Sequence, residues 1–297
     1  MSELAISTAG LTRRFGRVLA VDGIELNVPV GSIYGFLGRN GAGKTTTIQM
    51  LMGMLDPTAG QMRVMGFDPL REDVAMKRVV SYVPERVQMY DWMTVREIVG
   101  FGANIHPHWK TSTAEGLIER FELPLERKVG TLSRGMQGKL ALALAMASHP
   151  KLLILDDPTM GLDAVVRREF VESIVGVLQE TGVTVFFSSH IIDDVERVAD
   201  WIAILHEGRL LLQEPLDDLK SRVRRVVATF DGEAPEPGED LPGGPLSIQR
   251  DGRQLVLVCE RWGEESRAAI DAMGPTSVES EGLSLEDIFV AFARGMG

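Results

Sequence analysis

The stretch SIYGFLGRNGAGKTTTIQMLMGML, residues 32–55, decides the fold. It passes from an apolar run through a glycine-dense loop into a pattern of helical period, so it reads as strand, loop and helix in succession. Within it GRNGAGKT, that is Gly38, Arg39, Asn40, Gly41, Ala42, Gly43, Lys44 and Thr45, fits the pattern G-x-x-x-x-G-K-[ST]. The pattern lies where its mechanism needs it, between the strand and the helix. Glycines let backbone N–H groups close around β- and γ-phosphates, Lys44 adds a point charge, and the Thr45 hydroxyl, with Thr46 beside it, can reach Mg²⁺. A nucleotide polyphosphate is the implied ligand, against the bland alternative of a glycine-rich turn.

A second stretch, LLILDDPTMGLD at residues 152–163, ends an apolar run with two adjacent carboxylates. An unpaired buried carboxylate costs several kcal/mol or becomes neutral, so Asp156 and Asp157 need partners from elsewhere in the chain. In P-loop proteins an Asp ending such a strand stands beside the loop and holds the Mg²⁺ shell, which gives Asp156 a cation. The competing reading is a helix cap or turn residue before Pro158.

Around these two stretches the elements alternate. Residues 1–30 read as short antiparallel strands with an Asp-Gly turn at Asp22, and GQMRVMGFD and RVVSYVPE follow as strands. From Thr94 to about residue 123 the pattern is helical, with capping boxes at Thr94/Glu97 and Ser112/Glu115. A helix over about 133–148, the strand 152–156, a helix over 163–181, the strand VTVFF, a short helix at about 193–198 and the strands WIAIL and RLLLQ complete an α/β domain at residues 1–222, with a helical insert at about 86–148. Residues 223–297 form a small α+β domain from VVATF, LSIQ, RQLVLVC, AAIDAM and SLEDIFVAFA. Its segment 231–245 holds four Pro, four Gly and five acidic residues with no basic one, and reads as a solvated loop.

Composition narrows the function classes. The chain has 297 residues, 44% hydrophobic and 25% charged, which suits two domains. A net charge of −11 argues against broad affinity for nucleic acid or anionic lipid, since both need a clustered basic face. Cys259 is the single cysteine, set in an apolar run, and reads as an inert core thiol suited to a reducing compartment. TRRFGRVLAV resembles a twin-arginine signal only superficially, because Asp22 breaks the apolar stretch after four residues. The sequence holds no run of about 18 apolar residues, the length a membrane span needs, so the chain is not expected to cross a membrane by itself.

With these motifs in order, residues 3–220 resemble the nucleotide-binding subunits of ABC transporters. LSRGMQ, residues 132–137, is similar to the family signature written LSGGQ, set at a helix N-terminus. The resemblance implies that Ser133, Gly135 and Met136 complete the site of a second subunit. It implies further that residues 160–163 contact that subunit, that His190 meets the γ-phosphate and orients the attacking water, and that Phe15 stacks on adenine. A lone His is as a rule structural and an edge aromatic commonly just packs. Tyr90, Trp92, Met93 and Trp109 form either the groove for a helix of a membrane partner or buried core.

Two positions depart from the commonest pattern. Glu85 stands where most members have a Gln that senses Mg²⁺ and water, as in the branch exporting drugs, polymers or lipids through separate membrane subunits. Asp157 stands where a Glu usually positions the water. Its side chain is one methylene shorter, about 1.5 Å, and misplacement of that size can cost around 100-fold in rate unless backbone adjustment or a bridging water restores the geometry.

The resemblance thus implies a P-loop NTPase domain of ABC type, with a mixed sheet, an antiparallel edge subdomain and a helical insert. It binds ATP and Mg²⁺, dimerises with a second copy or a related ATP-binding subunit, and powers an exporter through a separate transmembrane permease. Its place is cytoplasmic, peripheral on the inner face of the cell membrane. The rival reading is a non-transport ABC ATPase switching on nucleic acid or a protein. The acidic balance, the single cassette and the lack of a long coiled-coil or basic insert count against it. The C-terminal domain adds dimer contacts or regulation, or is a passive extension.

Overall fold

The computed structural model describes residues 3–238 and 241–294. The chain divides into two compact units, Met1–Gln213 and Glu214–Gly297. In the first unit an antiparallel sheet is built on β1 (Leu4–Phe15), which pairs with β2 (Val18–Ile24), β3 (Asn27–Pro29) and later β5 (Ala59–Val64). The expected Asp-Gly turn is absent: Asp22 and Gly23 lie inside β2, where the pairing with β1 is irregular and Gly23 takes φ +63°.

The remaining elements of this unit are β4 (Ile33–Gly38), α1 (Lys44–Leu51), α2 (Asp73–Met76), β6 (Val80–Val83), α3 (Val95–Ile105), α4 (Thr111–Arg120) and α5 (Arg134–Ala147). After them come β7 (Leu152–Asp156), α6 (Ala164–Thr181), β8 (Thr184–Ser189), α7 (Ile192–Glu196), β9 (Trp201–His206) and β10 (Arg209–Pro215). Among the described residues, six strands form one sheet in the order β10-β9-β4-β8-β7-β6. Because β4 and β7 each run parallel to β8, all three strands release their chains at one edge of the sheet. Ligands of open parallel sheets bind along that carboxyl edge, and the loops leaving it here begin at Arg39, Asp157 and His190.

The sheet's faces are covered, so its strands are apolar runs rather than alternating ones. Every residue of β7 and β8 is buried, and Phe186 packs between Tyr34 and Phe36 with ring centroids 5.7 and 5.2 Å away. Burying each such ring contributes on the order of 2 kcal/mol, which fixes the strand ends to which the functional side chains are attached. Among the described residues no helix is long and apolar enough to cross a membrane.

The helical insert keeps one of its two expected caps. At Thr94 the box is complete: Glu97 N–H donates to Thr94 Oγ1 at 3.2 Å, and Thr94 N–H donates to Glu97 Oε2 at 2.8 Å. Ser112 caps nothing, because α4 already starts at Thr111 with Lys110 at its cap. The helical stretch from Thr94 is broken at His106, which precedes Pro107 and is driven to an extended conformation, φ −106° and ψ 121°.

The second unit begins nine residues before the expected boundary, with α8 (Leu216–Arg222), whose Arg222 binds Glu214 and the Glu260 backbone carbonyl. Among its described residues four strands, β11 (Arg224–Thr229), β12 (Pro245–Asp251), β13 (Gln254–Cys259) and β14 (Ser277–Gly282), form an antiparallel sheet in the order β12-β13-β11-β14, accompanied by α9 (Glu264–Asp271) and α10 (Leu285–Arg294). β14, of sequence SVESEG, has too few apolar residues to be legible as a strand. The segment 231–245 is not wholly solvated. Ala234 is buried in the core with its N–H on Gly252 O at 2.9 Å, while Glu239 and Asp240 lie outside the described residues. Cys259 is a core thiol whose pKa burial pushes up to about 11, as its inert reading requires.

Candidate nucleotide-binding site

The loop after β4 is shaped by backbone that other residues resist. Gly41 and Gly43 take φ +83° and +107°, and a Cβ on Gly43 would stand 2.5 Å from Ala20 O of β2. Gly38 is equally constrained, with Leu205 O 2.7 Å from the place of a Cβ. Ala42 N–H bonds Arg39 O at 3.0 Å to close the turn, and α1 begins at Lys44. Lys44 is 6% exposed, its ammonium bonding Gly38 O at 2.7 Å. Burial lowers its pKa, opposed by the charges of Asp157, Asp156 and Glu85, so a desolvated cation stands where an anion can bind.

The two adjacent carboxylates occupy different settings. Asp156 Oδ1 accepts from Thr45 Oγ1 at 3.2 Å and from Ser188 Oγ at 2.9 Å, while its Oδ2 is buried with no hydrogen-bond partner. Burial raises the Asp156 pKa; the bonds from Ser188 and Thr45 oppose this, and the charges of Glu85 and Asp157 reinforce it. Asp157 Oδ2 stands 2.6 Å from His190 Nδ1, and Oδ1 is buried and unpartnered. Ser188, which sequence reasoning missed, bonds in both directions: it also accepts from Asp157 N–H at 2.9 Å. Its only sequence signal is a polar pair, Ser188 and Ser189, ending an otherwise apolar strand.

An orphaned oxygen on each carboxylate is a direct test of whether a cation and a water fit here, and the residues fit. A hydroxyl beside a carboxylate is an oxygen donor set of the kind Mg²⁺ takes. His190 shares a cavity of about 510 Å³ with Arg39, Asn40, Gly41 and Ala42, so histidine and phosphate loop face one space. His206 and Glu207 line it as well and carry no sequence signal. Glu85 faces a separate cavity of about 380 Å³ with Arg134, Gln137, Met160 and Gly161, and reaches Asp156 only through its charge.

The signature segment stands apart from this cluster. Ser133 caps α5, accepting from Met136 N–H at 3.3 Å, and Gly135 leaves room for Val166 of α6. Among the described residues no hydrogen bond joins Ser133, Gly135 or Met136 to residues 38–46. Phe15 ends β1, 45% exposed, with the Arg13 guanidinium 4.5 Å from its ring centroid, and its hairpin touches the loop where Ala20 meets Gly43. Asp163 caps α6 by accepting from Val165 and Val166 N–H, both at 3.0 Å.

The aromatic group of the insert divides. Tyr90 and Trp92 are exposed, with centroids 5.9 Å apart, whereas Met93 and Trp109 are half-buried. Tyr90 and Trp109 line a cavity of about 420 Å³ together with Phe101 and Ile105.

The model of the ABC transporter family matches residues 21–160, the span from β2 through the strand-end carboxylates. The daunorubicin/doxorubicin resistance ATP-binding protein DrrA of Streptomyces peucetius is 37% identical over 97% of this chain and 92% of its own length. The chain belongs to the ATP-binding subunits of ABC transporters. The bacitracin transport ATP-binding protein BcrA of Bacillus licheniformis is 40% identical, over 75% of this chain and 73% of its own. The solved structure of cbiO1 from Clostridium perfringens, part of the ABC transporter complex cbiONQ, matches with a TM-score of 0.66 at 25% identity, covering 74% of this chain and 92% of that one. The ABC-type nucleotide-binding fold expected from the motifs is therefore the fold observed.

Proposed function

We propose that this chain hydrolyses MgATP to power an exporter, using the hydrogen-bonded series Thr45, Asp156, Ser188, Asp157 and His190 at the carboxyl edge of the sheet. The observation that carries this reading is the pair of buried, unpartnered oxygens, Asp156 Oδ2 and Asp157 Oδ1, beside a phosphate-binding loop. Thr45 and Asp156 would hold Mg²⁺, with Glu85 contributing charge nearby, and bound Mg²⁺ supplies neutralisation of the phosphate oxygens. Backbone N–H groups of residues 39–46 and the Lys44 ammonium bind the β- and γ-phosphates. Asp157 Oδ1 accepts a hydrogen bond from the attacking water and takes its proton as the water oxygen bonds to γ-phosphorus and the bridging oxygen leaves with ADP. His190, with Nδ1 committed to Asp157, turns Nε2 toward the γ-phosphate. Phe15 offers a ring face to adenine.

Ser133, Gly135 and Met136 act on the nucleotide of a second copy or a related subunit, so the working form is a dimer. The groove bounded by Tyr90, Phe101, Ile105 and Trp109 receives a separate transmembrane subunit, which places the chain peripherally on the inner face of the membrane. Exposed aromatics grouped about one concavity support a docking role.

Asp157 makes the enzyme slow. Its backbone stands at φ +44° before Pro158, a conformation that Asp adopts more readily than Glu, so the shorter residue suits the turn while holding its oxygens further back. ATP turnover by the purified chain, compared with Asp157→Glu and Asp157→Ala, tests the assignment. A gain of up to about 100-fold for Glu and a loss for Ala are expected. Equal rates in all three remove Asp157 from the mechanism.

A further inference from the structure

The two segments that leave β7 and β8 are joined at more than the catalytic contact. Ser188 Oγ meets Asp157 N–H, and His190 Nδ1 meets Asp157 Oδ2. Further out, Thr159 Oγ1 donates to Asp194 Oδ2 at 3.1 Å, with Thr159 3% and Asp194 6% exposed. The other Asp194 oxygen, Oδ1, lies 3.4 Å from Arg167 Nε on α6. Thr159 and Asp194 sit among Ile33, Val171, Ile174 and Phe187, an apolar setting in which a buried ion pair is weak support for stability. A polar contact maintained there is better explained by the geometry it specifies.

The spacing shows what it specifies. Only Pro158 separates Asp157 from Thr159, and its ring fixes φ, so a displacement of Thr159 is passed to Asp157 with little loss. On the other segment Asp194 lies in the first turn of α7, which starts two residues after His190. We infer that Thr159 and Asp194, anchored by Arg167, are positioning residues that set the Asp157 carboxylate against His190. The same contact ties both to residues 160–163, the loop ahead of α6, so a movement of that loop reaches the water-handling pair. Burial raises the pKa of Asp194, and the Thr159 bond and the Arg167 charge oppose that rise.

This inference rests on the roles proposed for Asp157 and His190, and the test separates the two. Steady-state ATP turnover, KM for ATP and melting temperature are measured on the full chain for Thr159→Val, Thr159→Ser and His190→Ala. Val replaces Thr with little change of volume in apolar surroundings and removes only the donor. Thr159→Val is expected to lower kcat at least about tenfold, since displacements near 1 Å cost about 100-fold, with KM within about twofold. Thr159→Ser, which keeps the hydroxyl, is expected to restore kcat to within about threefold of the parent. Should Thr159→Val fail to fold, Thr159→Ala is read by the same criteria. An unchanged kcat in Thr159→Val, a loss confined to KM, or a Ser variant as slow as the Val one overturns the inference while a slow His190→Ala leaves the catalytic reading standing. A His190→Ala enzyme turning over at the parent rate overturns that reading, and this inference with it.

Discussion

The carboxyl edge of the sheet carries the phosphate-loop motif and the N-terminus of α5 carries the segment proposed to act on a second subunit's nucleotide, yet only the first is closed within the chain. At the sheet edge Thr45, Asp156, Ser188, Asp157 and His190, on α1 and at the ends of β7 and β8, are linked by contacts of 2.6–3.2 Å although distant in sequence. At α5, Ser133 spends its hydroxyl on its own helix cap, and no hydrogen bond to the phosphate loop follows among the described residues. Parallel pairing brings the ends of β4, β7 and β8 together whatever else happens, whereas nothing in the topology carries α5 to the same place. The first region is closed within the chain, and the second is what the proposed dimer would complete.

The sharpest way to break that comparison is to disable the halves in different copies. Lys44→Ala removes the phosphate-binding charge and is expected to lower turnover by about 100- to 1000-fold, the scale for losing one such donor. Ser133→Arg places a bulky cation at the other half and is also expected to inactivate. Mixed together, the two proteins form some dimers in which the intact loop of one copy faces the intact signature of the other. Turnover should return in the mixture although each protein alone is inactive. A mixture as inactive as its components would mean that the signature acts within its own chain or not at all.

How much was legible follows the same division. The motif GRNGAGKT named its own residues because a phosphate cradle admits few sequences, and the Gly43 approach to Ala20 O shows why. The strand 152–156 was legible from its apolar run, and Asp156 and Asp157 from the cost of burying charge. Ser188 was not, since one serine closing a strand has no pattern, and its role exists only once β7 and β8 pair in parallel. His206 and Glu207 were missed for the same reason. In the second unit the strand β14 was invisible because an edge strand with one apolar residue in six has no alternation to detect. Ala234 was misread with its loop because charge and proline content describe a segment's average and not one small residue entering a core.

A smaller effect tests the tension inside the closed site. Burial holds Asp156 above the ordinary carboxylate pKa, so the folded protein without nucleotide takes up a proton there more readily than the unfolded chain does. The sign follows: this group's contribution to stability is fully present below its unfolded pKa and is lost as pH rises through the raised folded value. Asp156→Asn keeps an acceptor for Thr45 and Ser188 without the charge, and is expected to melt a few degrees higher than the parent at neutral pH while losing Mg²⁺-dependent turnover. The gain in melting temperature should shrink as pH falls toward the acid side, where the parent's Asp156 is itself neutral. A variant that melts lower at pH 7 would show that the buried carboxylate is stabilised within the chain.

The smallest effect on the chain by itself is expected where the counterpart belongs to a different protein. Trp92 is 66% exposed and touches Tyr90 alone among the described aromatic rings, at 5.9 Å between centroids. Truncating an exposed side chain away from caps and networks changes stability by no more than about 0.5 kcal/mol. Trp92→Ala should therefore leave both the melting temperature and the turnover of the isolated subunit near the parent values. Association with a transmembrane subunit is a different matter, because large aromatics at the centre of an interface commonly carry over 1 kcal/mol each. Copurification of Trp92→Ala with the membrane partner is expected to drop several-fold under conditions that retain the parent complex. On the proposed reading, these substitutions grade the molecule by where each part would find its complement: in its own chain at Asp156, in a second ATP-binding subunit at Ser133, and in a transmembrane subunit at Trp92. Undiminished copurification, with Tyr90→Ala equally without effect, would move the docking surface away from these aromatics and return them to the packing of the helical insert.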